Sequence, residues 1–452
     1  KAGHPAAAPR LGLIMEHTLL EILEAREQRV LRQQELLSAF SLPLICFTLN
    51  IPGPDKSGPL AEKAFYLGCR LLQGQLKAYK TAHFEQRCTA AGWEAFFCVE
   101  ASEETLKQIA VFLEDKTPGG RVFDMDVLTP AGQKLDRAAL GAPRRKCLLC
   151  DADAALCGRS RAHSLDALQS KTNALMETLI CEEIAKLAVQ SLLCEVYATP
   201  KPGLVDQNNN GSHKDMDLML FLRSSAVLWR YFRSCAISGL RGGEPAAVFE
   251  KLRQAGLEAE QVMYRATGGI NTHKGAIFSL GILCGAAAML SARQWEDPAV
   301  ISSQAASLAK GIVRKDYEFM ETPATAGEQL FERYGITGAR GQAEAGFPAA
   351  FRVGLPVLER AMAQELSFND ALCVTLLHII ATTWDTNLIK RGGMAAYGQI
   401  QAMLQTLLRA DPYPPREILE DLDRAFIKQN LSPGGSADLL SATCFAYFLK
   451  HL

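Results

Sequence analysis

The chain lacks most of the features that assign a protein at sight. It has no excess of basic residues: 48 Lys and Arg stand against 49 Asp and Glu, for a net charge of −1. A polyanion would have to be met by a local cluster, and no nucleic-acid role is expected. It lacks a long apolar run. The longest, Ala276–Leu290, falls short of the roughly 18 residues a spanning helix needs, so no membrane association is expected. It has no disulfide framework either. Thirteen cysteines lie irregularly over 452 residues, which suits a reducing cytosol and a cytoplasmic location. Internal repeats and low-complexity tracts are absent. The opening residues, KAGHPAAAPRLGLIM, lack the apolar core of a signal peptide and read as a disordered tail over residues 1–18.

What is present divides into two grammars. A chain of 452 residues accommodates about two to four domains. Up to about residue 150, strands and helices mix: Leu44–Ile51, Ala95–Glu100 and Arg121–Leu128 read as strands. Leu60–Ala82 and Glu103–Glu114 have helical spacing. From about residue 165 only long amphipathic or apolar segments recur, at 172–198, 217–236, 275–293, 302–320, 348–364, 370–382, 395–409 and 436–450. The expectation is a multidomain protein: a mixed α/β domain over 19–160, a polar linker at 161–171 and an all-α helical bundle over 172–452.

In the first half, Asp124 and Asp126 sit two apart, so on a strand both carboxylates face one side. Two such acids stay ionised cheaply only with a cation between them, and Mg²⁺ is the natural one. Arg121 and the Gly119–Gly120 turn offer a cation and close backbone approach to phosphate. Residues 142–163, APRRKCLLCDADAALCGRSRAH, hold Cys147, Cys150, Cys157 and His163 among Arg144, Arg145, Arg159 and Arg161. The gaps form no standard ligand quartet, so zinc is not expected; buried thiols beside a basic surface are. Those arginines suit polyphosphate, an acidic protein partner or plain solvation.

In the second half the polar residues fall in glycine- and proline-bearing loops between apolar helices. Residues 199–217 (TPKPGLVDQNNNGSHKDMD) bring Lys201, Asp206, His213, Asp215 and Asp217. Asp215 and Asp217 are candidate metal ligands, and Lys201 a candidate phosphate contact. Residues 266–281 (ATGGINTHKGAIFSLG) bring Asn271, His273 and Lys274 to a helix N-terminus, whose free N–H groups favour an anion. Glu260 precedes that stretch. Arg340 lies in GITGARGQAEAGF, Asp385 and Asn387 are followed by Arg391, and LSPGGSADLL carries Ser432, Gly434, Gly435, Ser436 and Asp438. Alone, each loop is as readily a structural cap; together they predict one pocket for a phosphate-rich substrate.

PGPDK (52–56), GRVFDMDVL (120–128) and RRKCLLC with Cys157, Arg161 and His163 resemble the apo-citrate lyase phosphoribosyl-dephospho-CoA transferase family over about residues 20–165. That family's Arg-Arg-Cys is interrupted here by Lys146. TPKPGLVD, HKDMD, GGINTHKGAIFSLG, GARGQAEAGFP and LSPGGSADLL resemble the triphosphoribosyl-dephospho-CoA synthase family over about 170–450, with Gln207 where a basic residue is usual. The chain thus resembles a bifunctional fusion of the holo-citrate lyase synthase type. The resemblance implies a nucleotidyltransferase-like first domain. It also implies a two-step transferase activity on ATP and 3′-dephospho-CoA, with Mg²⁺ expected beside ATP. Adenine is released first. The group then passes to a serine of the acyl carrier subunit of citrate lyase, and pyrophosphate leaves. On that reading Asp206 or Glu260 is the base, Asn271 and His273 orient ribose or adenine, and Lys274 takes phosphate. Rival readings are the same chemistry serving malonate decarboxylase, or a nucleotide-binding regulatory protein.

Overall fold

The computed structural model describes residues 18–318, 323 and 325–452, and these fall in two compact units divided between Leu179 and Ile180. All but one residue of the tail expected at 1–18 lies outside the described residues, as do the last two residues of the helical segment expected at 302–320.

The first unit is built on a four-stranded sheet: β1 (Leu44–Leu49), β2 (Thr81–Thr89), β3 (Gly92–Val99) and β4 (Phe123–Leu128). The spatial order is β2-β3-β1-β4 and every pairing is antiparallel. Helices α1 (Leu19–Phe40), α2 (Pro59–Leu76) and α3 (Glu103–Lys116) complete the β1-α2-β2-β3-α3-β4 succession of a split βαβ sheet. Alternation assigns the faces. Phe47, Phe97, Phe123, Met125 and Val127 are buried on one face, where Phe47 stacks on Phe65 of α2 at 5.3 Å. On the other, Leu36 and Leu37 of α1 pack on Leu44, Cys46, Phe96, Cys98 and Leu128. Each such side chain contributes about 1.5–3 kcal/mol by leaving water.

β4 is an edge strand whose outer backbone groups are taken by Leu135 N–H, which donates to Val127 O at 2.9 Å, and by side chains. Met125 N–H donates to Glu114 at 2.9 Å, Lys107 donates to Met125 O at 3.2 Å, and Arg145 donates to Phe123 O at 2.7 Å. That accounts for two buried charges on α3, since an unpaired backbone group beside the core is costly. The helix expected at 60–82 ends at Leu76, a turn follows, and the last two residues of the expected segment begin the strand β2. β2 shows no apolar alternation because it carries charges: Glu85 pairs with Arg32, and Arg87 with Glu94.

Beyond Leu128 the described elements are helical apart from isolated bridges. They include α4 (Ala154–Ser160), α5 (Leu165–Tyr197), α6 (Leu218–Val227), α7 (Trp229–Arg241), α8 (Pro245–Ala266) and α9 (Lys274–Met289). The single segment expected at 217–236 breaks at Leu228, and α8, absent from the sequence expectation, is one of the longer helices. Later come Pro298–Leu308, Phe368–Thr382, Thr386–Ala410, Arg416–Lys428 and Gly434–His451, among others. Helix α9 is the axis of the second unit, packed by α7, α8, Pro298–Leu308 and Gly434–His451. Small residues let it be surrounded: a Cβ on Gly239 would stand 2.1 Å from Gly285 O, so α7 and α9 touch backbone to backbone. No single described helix is long and apolar enough to cross a membrane.

Candidate functional site

In the first unit the strand alternation places Asp124 and Asp126 on one face, opposite Thr48 and Cys46 of β1. Asp126 pairs with Lys134 at 2.6 Å, and Asp124 stands 3.7 Å from Arg145. Burial, then the charge of Asp126, pushes the Asp124 carboxyl up from its ordinary value. Two partly exposed carboxylates on one face are the donor type a divalent cation takes, and Lys134 and Arg145 already stand against them. Arg121 donates to the carbonyl of Lys146. The Gly119–Gly120 turn has a different explanation from the one its sequence offers. A Cβ on Gly119 would lie 2.2 Å from Leu175 O, and one on Gly120 2.3 Å from Leu113 O, so helix packing uses the close approach. Glu114 and Arg145, paired at 2.5 Å, complete the surroundings of the strand.

Cys147, Cys150, Cys157 and His163, whose gaps form no standard ligand quartet, nevertheless come together in space. Their four ligand atoms all lie within 4.8 Å of one another. The gaps do not show this proximity because a bridge between Lys146 and Asp153 folds the segment back and α4 then supplies Cys157.

In the second unit the scattered loops meet. His213 Nε2 lies 2.9 Å from Ser432 Oγ, and Ser212 donates to Leu431 O at 2.5 Å. Arg391 donates to Ser212 O at 2.9 Å and lies 3.3 Å from His213 Nδ1. Arginine can only donate, so His213 is a neutral imidazole with its proton on Nε2; burial first and Arg391 second lower its pKa. Asp423, 220 residues further along the chain, accepts from Gly203 N at 2.9 Å and from Asn209.

Several predicted residues have internal partners. Lys201 is buried, and its ammonium binds the carboxylate and carbonyl of Glu195, each at 2.6 Å. Asp206 accepts three backbone N–H groups, from Lys201, Asn208 and Asn209. It therefore ties its loop together. Asp385 accepts from Asn387 N and Leu388 N, and from Ser436 N and Oγ, so the Gly434–Gly435–Ser436 turn meets a protein carboxylate where an anion was expected. At α9, Asn271 caps Lys274 N at 3.2 Å, and Asp438 accepts from Ala276 N. A Cβ on Gly275 would fall 1.9 Å from Asp438 Oδ2. Burial, followed by the charges of Glu195 and Asp385, raises the Asp438 carboxyl well above its ordinary value. Asp217 caps α6 through Leu220 N at 2.8 Å and Asp215 is exposed. Among the described residues neither this pair nor Asp124 with Asp126 gathers a third acid, His or Cys ligand.

His273 is buried, and burial lowers its pKa to about 3, so it is neutral. Thr272 donates to Ser224 Oγ, which then donates to His273 Nδ1 at 2.7 Å. The proton is left on Nε2, which has no partner among the described residues. His273 itself is not in the lining of a cavity, but the next residues of the chain, Lys274 and Gly275, line one of about 280 Å³, with Tyr231, Phe249, Leu252 and Phe278 on its apolar side. Its polar residues are Glu260, paired with Lys274 at 2.9 Å, and Asp316, held by Arg253 and Arg340 at 2.8 Å each. Glu195, Arg253, Asp316 and Asp423 have no sequence signal: each meets its site through tertiary packing.

Residues 181–452 match the family model described as ATP:dephospho-CoA triphosphoribosyl transferase (CitG). Residues 17–179 match that of apo-citrate lyase phosphoribosyl-dephospho-CoA transferase (CitX). The chain is 34% identical to Protein CitXG of Haemophilus influenzae, covering 95% of each chain. It is 35% identical to Protein CitXG of Leuconostoc mesenteroides subsp. cremoris, covering 94% of this chain and 96% of the relative. The 2-(5''-triphosphoribosyl)-3'-dephosphocoenzyme-A synthase of Pectobacterium atrosepticum is 42% identical over 59% of this chain and 88% of its own.

Proposed function

Because the chain belongs to the family that fuses a CitX transferase to a CitG transferase, and is thus a bifunctional transferase making the citrate lyase prosthetic group, we propose how its two units divide the chemistry. The supporting observation is the convergence of residues 201–213, 271–276, 385–391 and 431–438 at the head of α9.

In the helical unit the 2′-hydroxyl of 3′-dephospho-CoA attacks C1 of the ATP ribose, the C1–N bond to adenine breaks, and an oxocarbenium-like state lies between. Glu260 takes the hydroxyl proton. It lines the cavity and pairs with Lys274, whereas Asp206 is fully engaged by its own loop. The proton that Glu260 gains passes to the departing adenine, and the neutral His273 Nε2–H, if local movement opens it to the cavity, offers a hydrogen bond rather than a proton. Lys274, Arg253 and Arg340 neutralise the triphosphate. Asn271, Asn387, Arg391 and Ser432 shape the loops around it.

In the sheet unit a serine hydroxyl of the acyl carrier subunit attacks the phosphate nearest the new ribose, and pyrophosphate leaves. Asp124 and Asp126 would hold Mg²⁺, which when bound neutralises charge on the phosphates. Arg145 orients Asp124, Arg121 faces the leaving group, and the exposed Arg144 with Arg159 and Arg161 docks an acidic carrier.

The test is to incubate the protein with ATP, Mg²⁺ and dephospho-CoA and look for free adenine, then add apo-carrier and follow pyrophosphate and the carrier's mass. Adenine without carrier loading, when both the citrate lyase and the malonate decarboxylase carriers are offered, would overturn the assignment of the second step. No adenine would overturn the first.

A further inference from the structure

We propose that Cys147, Cys150, Cys157 and His163 form a structural Zn²⁺ site that pins the segment carrying Arg145 against the acidic strand of the first unit.

The four side chains converge as a tetrahedral centre requires. Cys150 Sγ lies 3.6 Å from Cys157 Sγ, and His163 Nε2 lies 3.2 Å from Cys157 Sγ and 3.3 Å from Cys150 Sγ. A tetrahedral zinc with bonds of about 2.3 Å to sulfur and about 2.0 Å to nitrogen sets ligand separations of about 3.5–3.8 Å. A disulfide needs about 2.05 Å, so Cys150 and Cys157 are in contact but not bonded.

Local structure delivers each ligand. Cys147 N–H donates to Ala152 O at 2.8 Å and Ala154 N–H to Arg145 O at 2.9 Å, closing a short hairpin whose tip holds Cys-Leu-Leu-Cys. At that tip Leu149 N–H points at Cys147 Sγ at 3.5 Å, a contact that favours a thiolate. Asp153 caps α4 through Ala155 N and Leu156 N and so aims Cys157 inward. Arg161, in the left-handed region at φ 50°, ends α4 and turns the chain back to present His163.

The segment also has little else to hold it. From residue 129 to 171, Cys157 is the only buried residue. A stretch without an apolar core is commonly fixed by a metal or a disulfide, and none of these cysteines is in a disulfide. Three thiolates and one zinc leave a net charge of about −1, offset by Arg144, Lys146, Arg159 and Arg161 around them in sequence.

The consequence lies at the base of the hairpin. Arg145 binds Glu114 at 2.5 Å and Phe123 O at 2.7 Å and stands 3.7 Å from Asp124, while Arg121 donates to Lys146 O. Fixing the tip therefore fixes Arg145 as a positioning residue. That consequence rests on the role proposed for Asp124; the metal site does not.

The full-length protein, purified in reductant, reconstituted with zinc and desalted, should hold about one zinc per chain by mass spectrometry. Its cobalt-substituted form should show intense tetrahedral d–d bands and thiolate-to-cobalt charge transfer. The Cys150→Ser/Cys157→Ser protein should lose both. Full-length protein that retains no zinc, a double variant that holds zinc as well as the parent, or a Cys150–Cys157 disulfide in the fresh protein would each overturn the site. In the double variant, adenine release should persist while carrier loading falls at least tenfold. Unchanged loading with zinc gone would overturn the positioning of Arg145.

Discussion

Asp385 accepts the backbone N–H of Ser436 at 2.7 Å and its hydroxyl at 2.8 Å, while its other oxygen caps the helix Thr386–Ala410. One buried carboxylate thus terminates two helices, each of which begins with unpaired donors. The geometry explains why a Ser-Pro-Gly-Gly-Ser turn that reads as a phosphate cradle is closed by the protein itself.

Asp385→Asn keeps the shape and removes the charge. Hydrogen bonds to a charged acceptor are worth about 1.5–3 kcal/mol each, so a loss of roughly 2 kcal/mol or more is expected. Urea unfolding followed by circular dichroism measures it; an unchanged midpoint would mean the two caps are dispensable.

Glu260→Gln and Asp206→Asn separate a proton acceptor from a loop tie. The first should slow adenine release by about 10²–10⁴-fold with ATP binding little altered. The second should mainly lower stability, because three backbone donors lose a charged acceptor. Calorimetric ATP binding beside single-turnover adenine release distinguishes them. Full-rate release by Glu260→Gln removes that residue from the chemistry.

Asp124→Ala should leave adenine release intact and let the triphosphoribosyl intermediate accumulate, since the lost carboxylate belongs to the other unit. Chromatography of the nucleotide pool and the carrier's mass report both steps. Normal carrier loading by this variant would clear Asp124 of a metal role.

His273 gives the helical unit a pH dependence with a defined sign. Burial lowers its pKa from 6.5 to about 3 in the folded protein. The unfolded chain therefore takes up a proton below about pH 6.5 that the folded one refuses. Its contribution is complete above that pH and declines as pH falls toward 3, at up to about 1.4 kcal/mol per pH unit. Denaturant midpoints between pH 7 and 5 should fall more steeply for the parent than for His273→Asn; equal slopes would assign the dependence elsewhere.

Much of the architecture is legible in the residues themselves. Short apolar runs find β1 and β3, which are buried on both faces, and period-two alternation finds β4 and puts Asp124 and Asp126 on one face. β2 escapes, since its side chains satisfy Arg32 and Glu94 across the sheet rather than a core. Helix α8 escapes because its charged residues and Gly256 dilute the apolar stripe. Site residues are legible by type but not by partner. Lys201 reads as a phosphate cation, yet Glu195 holds it; Asp206 reads as a base, yet its own loop surrounds it. A cation and a carboxylate in a loop look the same from sequence whether the partner is substrate or protein. The cysteine–histidine set fails for the opposite reason: linear gaps carry no record of a hairpin that closes them.

The side chains that close off β4 have a further effect. With Glu114 on Met125 N–H, Lys107 on Met125 O and Arg145 on Phe123 O, that border of the sheet offers a passing strand charges instead of a ladder. Sheet growth by edge-to-edge pairing is thereby blocked on this side. A chain stripped of those three charges would expose a sticky margin next to its own acidic pair.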